Sequence, residues 1–185
     1  MLPSKQYDVY YLYVPDFIGF IMDIFQFTLI IATLMCSLVS GFLLAFTVVI
    51  MPGIGSLDDK EFIRAFQVID RVIQNRQPIF MLLWIGSVIF LMISAGLSIA
   101  KLNQTGLIFM IMATLFYLIG VQLPTGTINI PLNNNLQRLD INTINKNEQK
   151  AARKNFESRW VRWNLIRTVF SIFTSLLLII LLYWQ

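Results

Sequence analysis

One aspartate, one arginine and a set of carboxamides carry most of the chemistry this chain can offer. Gln67 and Asp70 stand one helical turn apart, Thr127, Asn129, Asn133 and Asn135 surround Pro131, and Trp163, Asn164 and Arg167 follow one another closely. A carboxylate moved into apolar surroundings titrates higher and can take a proton from carbon, while a fixed guanidinium can hold the anion left behind. If the three segments converge, Asp70, Asn133 and Arg167 are the expected catalytic groups, with Gln67, Thr127, Asn129, Trp163 and Asn164 as ligand-binding neighbours. Such a pocket has apolar walls, amide donors and one positive charge. It suits a flat, oxygen-bearing apolar molecule.

Each of these groups also has a plain structural role open to it. Gln67 and Asp70 fit the wet face of an amphipathic helix. The asparagines fit a turn after a helix end, where their side chains bond nearby backbone and Pro131 stops the helix. Arg167 can snorkel to lipid headgroups, and Trp160 with Trp163 can form an interfacial belt. Ser37 with Gly41 and Ser94 with Ser98 read as close helix packing, with dimerisation as the alternative.

Much chemistry is excluded. The chain has no histidine and one cysteine, Cys36, so no disulfide forms within it, and no metal or haem site of imidazoles or several thiolates is expected. No phosphate-cradling glycine loop, nucleophile elbow or carboxylate pair within a span occurs. The net charge of +4 does not point to nucleic acid, because the basic residues flank apolar runs instead of interleaving with polar, base-stacking aromatics.

The elements that must position these groups are membrane helices. Hydrophobic residues make up 57% of the 185-residue chain and charged ones 13%, about half the usual charged share. Runs near twenty residues long predict four spans at roughly 24–51, 79–100, 106–123 and 163–184. They compose a single all-α transmembrane domain, a four-helix bundle with amphipathic helices in its two long links. The first span is expected to end at Pro52 and Gly53, and its length requires a tilt, a kink near Ser40 and Gly41, or emergence into the headgroups. Ahead of it, Asp16 and Asp23 share a helical face suited to an interfacial approach. No cleavable leader is read at the amino terminus, so the first span is expected in the mature protein. Spans two and three form a hairpin. "SLDDKEFIRAFQVIDRVIQN" predicts a helix capped at Ser56 or Asp58, lying on the membrane surface or against the bundle mouth, and "INKNEQKAARKNFESRW" predicts a helix continuous with span four.

The long links and the start of span four hold twelve of the fourteen basic residues, leaving only Lys5 and Lys101 opposite. By the positive-inside tendency both links are expected in the cytoplasm and both termini outside.

"GFLLAFTVVIMPGIGSLD", "FQVIDRVIQNRQPIF", "TGTINIPLNNNL" and "WVRWNLIRT", in that order, resemble the anthrone oxygenase-like integral membrane family, long catalogued as a domain of unknown function. The resemblance covers about Ser40 to Thr168 and implies a four-helix membrane bundle. For the fungal polyketide-pathway members it implies cofactor-free oxidation of an anthrone to an anthraquinone by dioxygen. Phe46, Met51, Pro52, Gln67, Thr127, Asn129, Pro131, Leu132, Asn133, Trp163, Asn164, Arg167 and Thr168 match. Asp70 stands where the family often has asparagine, and Leu165 where many members carry histidine.

Three readings follow. The first is an enzyme or binder acting on an apolar aromatic or quinone-like ligand, without a cofactor. The second is a non-catalytic membrane subunit that assembles with or stabilises a larger membrane complex, its partner another membrane protein or its own copies. A small transporter is disfavoured, since the spans offer little for ion coupling. The lipid bilayer is a partner in each reading, and nucleic acid in none.

Overall fold

The computed structural model describes the backbone of residues 8–184 and the side chains of residues 24–184. The proposed interfacial face of Asp16 and Asp23 lies outside the described side chains. Helix α1 (Asp8–Ala45) continues through a π-helical turn (Phe46–Ile50) into α2 (Met51–Gly55), and α3 (Asp59–Gln74) crosses the end of the bundle. Helix α4 (Pro78–Ser98) and α5 (Gln104–Leu115) form the expected hairpin. The chain then runs through two further π-helical stretches (Phe116–Gln122 and Thr125–Asn129) into α6 (Ile130–Gln137), and α7 (Lys146–Tyr183) closes the bundle.

Four of these helical stretches are long and apolar enough to cross a membrane, at Ile24–Gly55, Pro78–Ser98, Gln104–Gln137 and Lys146–Tyr183. The protein is an all-α, multispanning integral membrane protein. Its first span packs on the second and fourth, and the third packs chiefly on the fourth. Phe25, Leu29, Leu43, Leu91, Met110, Tyr117 and Leu178 fill the middle of the bundle, and Phe62, Ile63, Phe66, Leu136, Phe156 and Trp160 fill a second cluster under α3.

Two helix ends differ from expectation. Pro52 and Gly53 do not stop the first span, which runs on to Gly55. Pro131 and the asparagines do not turn the chain, because the third span continues through them to Gln137. In both places a π turn comes just before the proline. Proline removes one backbone donor and crowds the carbonyl four residues back, and a widened turn relieves that conflict without ending the helix. The irregularity in the first span therefore falls at Phe46–Ile50 instead of near Ser40 and Gly41.

The link helices behave as expected. The Asp58 side chain accepts from the Glu61 backbone N–H at 2.8 Å, so Asp58, not Ser56, caps α3. Asn145 and Glu148 form a capping box ahead of α7, which runs unbroken into the fourth span. Arg153 then ties the pieces together. Its guanidinium donates to the Gly55 carbonyl at 2.7 Å and the Leu57 carbonyl at 2.8 Å, pairs with Glu157 and Asp59, and lies over the Phe62 ring. The carbonyls freed where the first span ends thus find partners, and α3 is held against the bundle mouth.

Small residues do not all serve close packing. Gly41 is exposed, with open space around the position of a Cβ, whereas Ser94 and Ser98 are fully buried. The tight approach is at Gly120, where an added Cβ would lie 2.3 Å from Cγ of Phe170. Gly120→Ala is therefore expected to lower stability by roughly 1–3 kcal/mol through overpacking. Thermal unfolding in detergent checks this, with Gly41→Ala as the near-neutral control.

Candidate functional site

A cavity of about 210 Å³ lies under α3, between all four spans. Its aromatic wall is continuous: Phe80 stacks on Trp84 at 5.5 Å, Phe42 meets Phe80 at 5.2 Å and Phe46 at 5.0 Å, and Phe46 meets Trp160 at 5.5 Å. Phe66 closes on Trp160 from the α3 side at 5.4 Å. Flat apolar molecules stack well on such surfaces. The polar lining is confined to Asp70, Thr125, Asn129, Asn133, Asn164 and Arg167.

Helix α3 brings Asp70 to the cavity, and the third span supplies two of the three groups that hold it, the other being Gln74 of α3 itself. Asn133 Nδ2 donates to Asp70 Oδ1 at 2.7 Å, while Gln74 Nε2 and Gln137 Nε2 donate to Oδ2 at 2.7 and 3.0 Å. Burial, with the carboxylate residue only 2% exposed, pushes the Asp70 pKa up, and the bonds from Gln137, Gln74 and Asn133 oppose the rise without cancelling it. Gln67 serves the same junction from beneath. Its Nε2 donates to the Leu136 and Leu139 carbonyls at 2.8 and 3.0 Å, and the Gln67 backbone carbonyl accepts from Gln137 Nε2. Neither Gln67 nor Asp70 lies on a wet face, because α6 covers that side of α3.

Deeper in the bundle, α7 presents Asn164 and Arg167. Arg167 is 5% exposed and does not snorkel to the headgroups. Its guanidinium donates to Thr125 Oγ1 at 2.9 Å and Asn164 Oδ1 at 2.8 Å and lies 5.8 Å from the Trp160 ring. No carboxylate pairs with it among the described residues, and its Nε has no partner. Asn164 is oriented by the first span at and just ahead of its π turn: its Nδ2 donates to the Leu43 carbonyl at 3.1 Å and to Thr47 Oγ1 at 2.8 Å. Asn129 is 2% exposed, and both of its amide atoms are buried without a hydrogen-bond partner.

Trp160 joins the two polar ends. Its Nε1 donates to Asn133 Oδ1 at 2.7 Å, so a chain of contacts runs from Asp70 through Asn133 and Trp160 to Arg167. It is not an interfacial belt residue. Residues 71–177 match a family described as anthrone oxygenase. The chain belongs to the anthrone oxygenase family. The match takes in Trp84, Asn129, Asn133, Trp160, Asn164 and Arg167 and begins one residue beyond Asp70. No curated protein and no solved structure matches the chain.

Within this anthrone oxygenase fold, Asp70, Asn133, Arg167, Asn129 and Asn164 meet at one cavity, and Gln67 supports it without lining it. Thr127 and Trp163 do not reach it. Thr127 is exposed and bonds back to the Leu123 carbonyl, and both residues line an apolar groove on the outer face of spans three and four. Thr125, Gln74, Gln137, Thr47 and Trp84 are additional participants. The signal for two of them lies in spacing: Thr125, Asn129, Asn133 and Gln137 recur every fourth residue, the mark of one helical face.

Proposed function

We propose that the cavity binds an apolar aromatic ketone of the anthrone class and oxidises it with dioxygen to the corresponding quinone. Asp70 accepts a proton from the methylene carbon opposite the ketone. The electron pair moves onto the carbonyl oxygen as an enolate, held by Arg167 and the Asn129 amide. Dioxygen then adds at the deprotonated carbon to give a hydroperoxide after protonation. Loss of water across the C–H and O–O bonds leaves the second carbonyl, so one dioxygen yields one new ketone oxygen and one water. The aromatic wall holds the ring system, and Asn164 and Thr125 orient Arg167.

One observation carries this reading. An aromatic cavity contains a guanidinium with no carboxylate partner and a buried carboxamide with neither atom bonded among the described residues. Each buried, unpaired polar group costs on the order of 1–3 kcal/mol, a cost that a bound carbonyl or enolate oxygen relieves. The basic residues at the link end further favour a cytoplasmic position for the Asp70 side of the cavity.

The direct test follows dioxygen consumption by the protein in liposomes with anthrone as substrate. Uptake of one dioxygen per anthrone, above the lipid-only rate, is expected. Uptake equal to the lipid-only rate sinks the proposal. Asn129→Leu separates binding from folding: it is expected to raise the thermal stability of the ligand-free protein by roughly 1–2 kcal/mol, while weakening anthrone binding measured by tryptophan quenching. A variant less stable than wild type would place the Asn129 amide in a purely structural role.

A further inference from the structure

We infer that the cavity is entered sideways, from the hydrocarbon of the bilayer, through a gap between spans two and three. This deepens the reading of the cavity as a site for an apolar aromatic ketone, and rests on it for the identity of the traveller but not for the existence of the route.

The two spans meet at their hairpin end, where α4 packs on α5. Ser87 and Tyr117 share a hydrogen bond of 2.6 Å, and one turn farther on Trp84 Nε1 donates to Gln122 Oε1 at 3.1 Å. Past the hairpin end the two spans are less closely packed. The first turns of α4 gain no comparable packing against Thr125–Asn129 or α6 and lean on the first span instead. The cavity occupies the space so left, with Met81 on one side of the gap and Ile130 on the other.

The surroundings say which phase the gap faces. Ile130 is 47% exposed, and the outward residues Ile79 and Leu82 of α4 are 65% and 62% exposed. An apolar band of that kind faces lipid in a membrane protein. The end nearest the basic links is shut: α3 lies across it, Asp70 is bonded to Asn133, Gln74 and Gln137, and Gln67 clamps the end of α6. A polar solute thus finds no opening toward the links, whereas a lipid-dissolved one finds a slot whose floor is the Trp84 and Gln122 pair.

The test reads the slot without a substrate. Trp84 and Trp160 line the cavity, so Trp163→Phe and Trp184→Phe leave them as the only tryptophans. This protein is placed in vesicles of phosphatidylcholine brominated at mid-chain, and separately in ordinary vesicles with acrylamide in the water. Strong quenching by the brominated chains and little by acrylamide is expected. Narrowing the slot with Ile130→Phe, or with Met81→Phe should the first variant not fold, is expected to remove most of the bromine quenching. Dominant acrylamide quenching would mean a water-filled entrance and would overturn the inference. Bromine quenching unchanged by either rim variant would also overturn it, since the bromines would then act through the wall. Adding anthrone to the same vesicles gives a separate reading: protection from bromine supports a shared site, and its absence counts against the substrate class while leaving the slot established.

Discussion

Arg167→Met is expected to slow the proposed anthrone oxidation by about 10²–10³-fold, the loss typical when one main donor to a developing oxyanion is removed. The side chains are similar in length, so the aromatic wall keeps most of its packing. What disappears is the charge and the donors to Thr125 Oγ1 and Asn164 Oδ1. Arg167→Lys keeps the charge but cannot span both acceptors with a planar fork, and it is expected to recover only part of the rate. Initial rates of dioxygen uptake compare the variants. Full activity in Arg167→Met with a normal binding curve would remove the guanidinium from the chemistry. In the ligand-free state the same variant is expected to unfold at a temperature no lower than that of wild type. An unpaired charge among apolar helices is costly to bury, and its loss offsets the two hydrogen bonds given up.

Asp70→Asn carries the second large effect, about 10²–10⁴-fold in rate, as for loss of a general base. Its signature is in the pH profile. Burial raises the Asp70 pKa, so the acid limb of the rate is expected above the ordinary carboxylate range. Activity is present at higher pH and lost as pH falls through the folded value. The asparagine variant should lack that limb. Stability runs the other way. The unfolded chain gives up this proton at a lower pH than the folded one, so wild type loses stability as pH rises from the ordinary carboxylate value through the raised one. Asp70→Asn should be flat across that window in thermal melts. If both proteins give the same melting profile, the carboxyl group is not shifted as described.

Hydropathy made the architecture legible because a bilayer demands continuous apolar helices and allows few alternatives. The four spans, though not where the first and third end, and the unbroken α7 were readable on that ground, and the cap of α3 was narrowed to Ser56 or Asp58. The polar groups of the site were also visible as residue types. Their arrangement was less so. Pro131 followed by three asparagines satisfies every local rule for a helix stop, yet the preceding π turn lets the helix pass, and the spacing of Thr125, Asn129, Asn133 and Gln137 then becomes one face. Thr127 drops out for the same reason, because it sits two residues from that face in either direction. On α3, Asp70 follows Phe62 and Phe66 at four-residue spacing and Gln67 follows Ile63 in the same way, so both stand on the buried face, and what was not legible is that α6 supplies their partners. Trp160 could not be told from Trp163 by type, only by which one shares the Asn164 side of α7.

The π turns also set a limit on how this chain can change length. A π turn is an α-helix holding one extra residue, and each residue advances the helix by about 100°. Deleting one position within Thr125–Asn129 would take up that extra residue and return the stretch to a regular α-helix, with the faces on either side close to their present phase. The α-helical run Ile130–Gln137 has no residue to spare, so a deletion inside it would turn Gln137 by about 100° relative to the rest of the span and take it from Asp70. A single-codon deletion there acts as a rotation rather than a shortening. The stretch can tolerate substitution far more readily than a shift of phase.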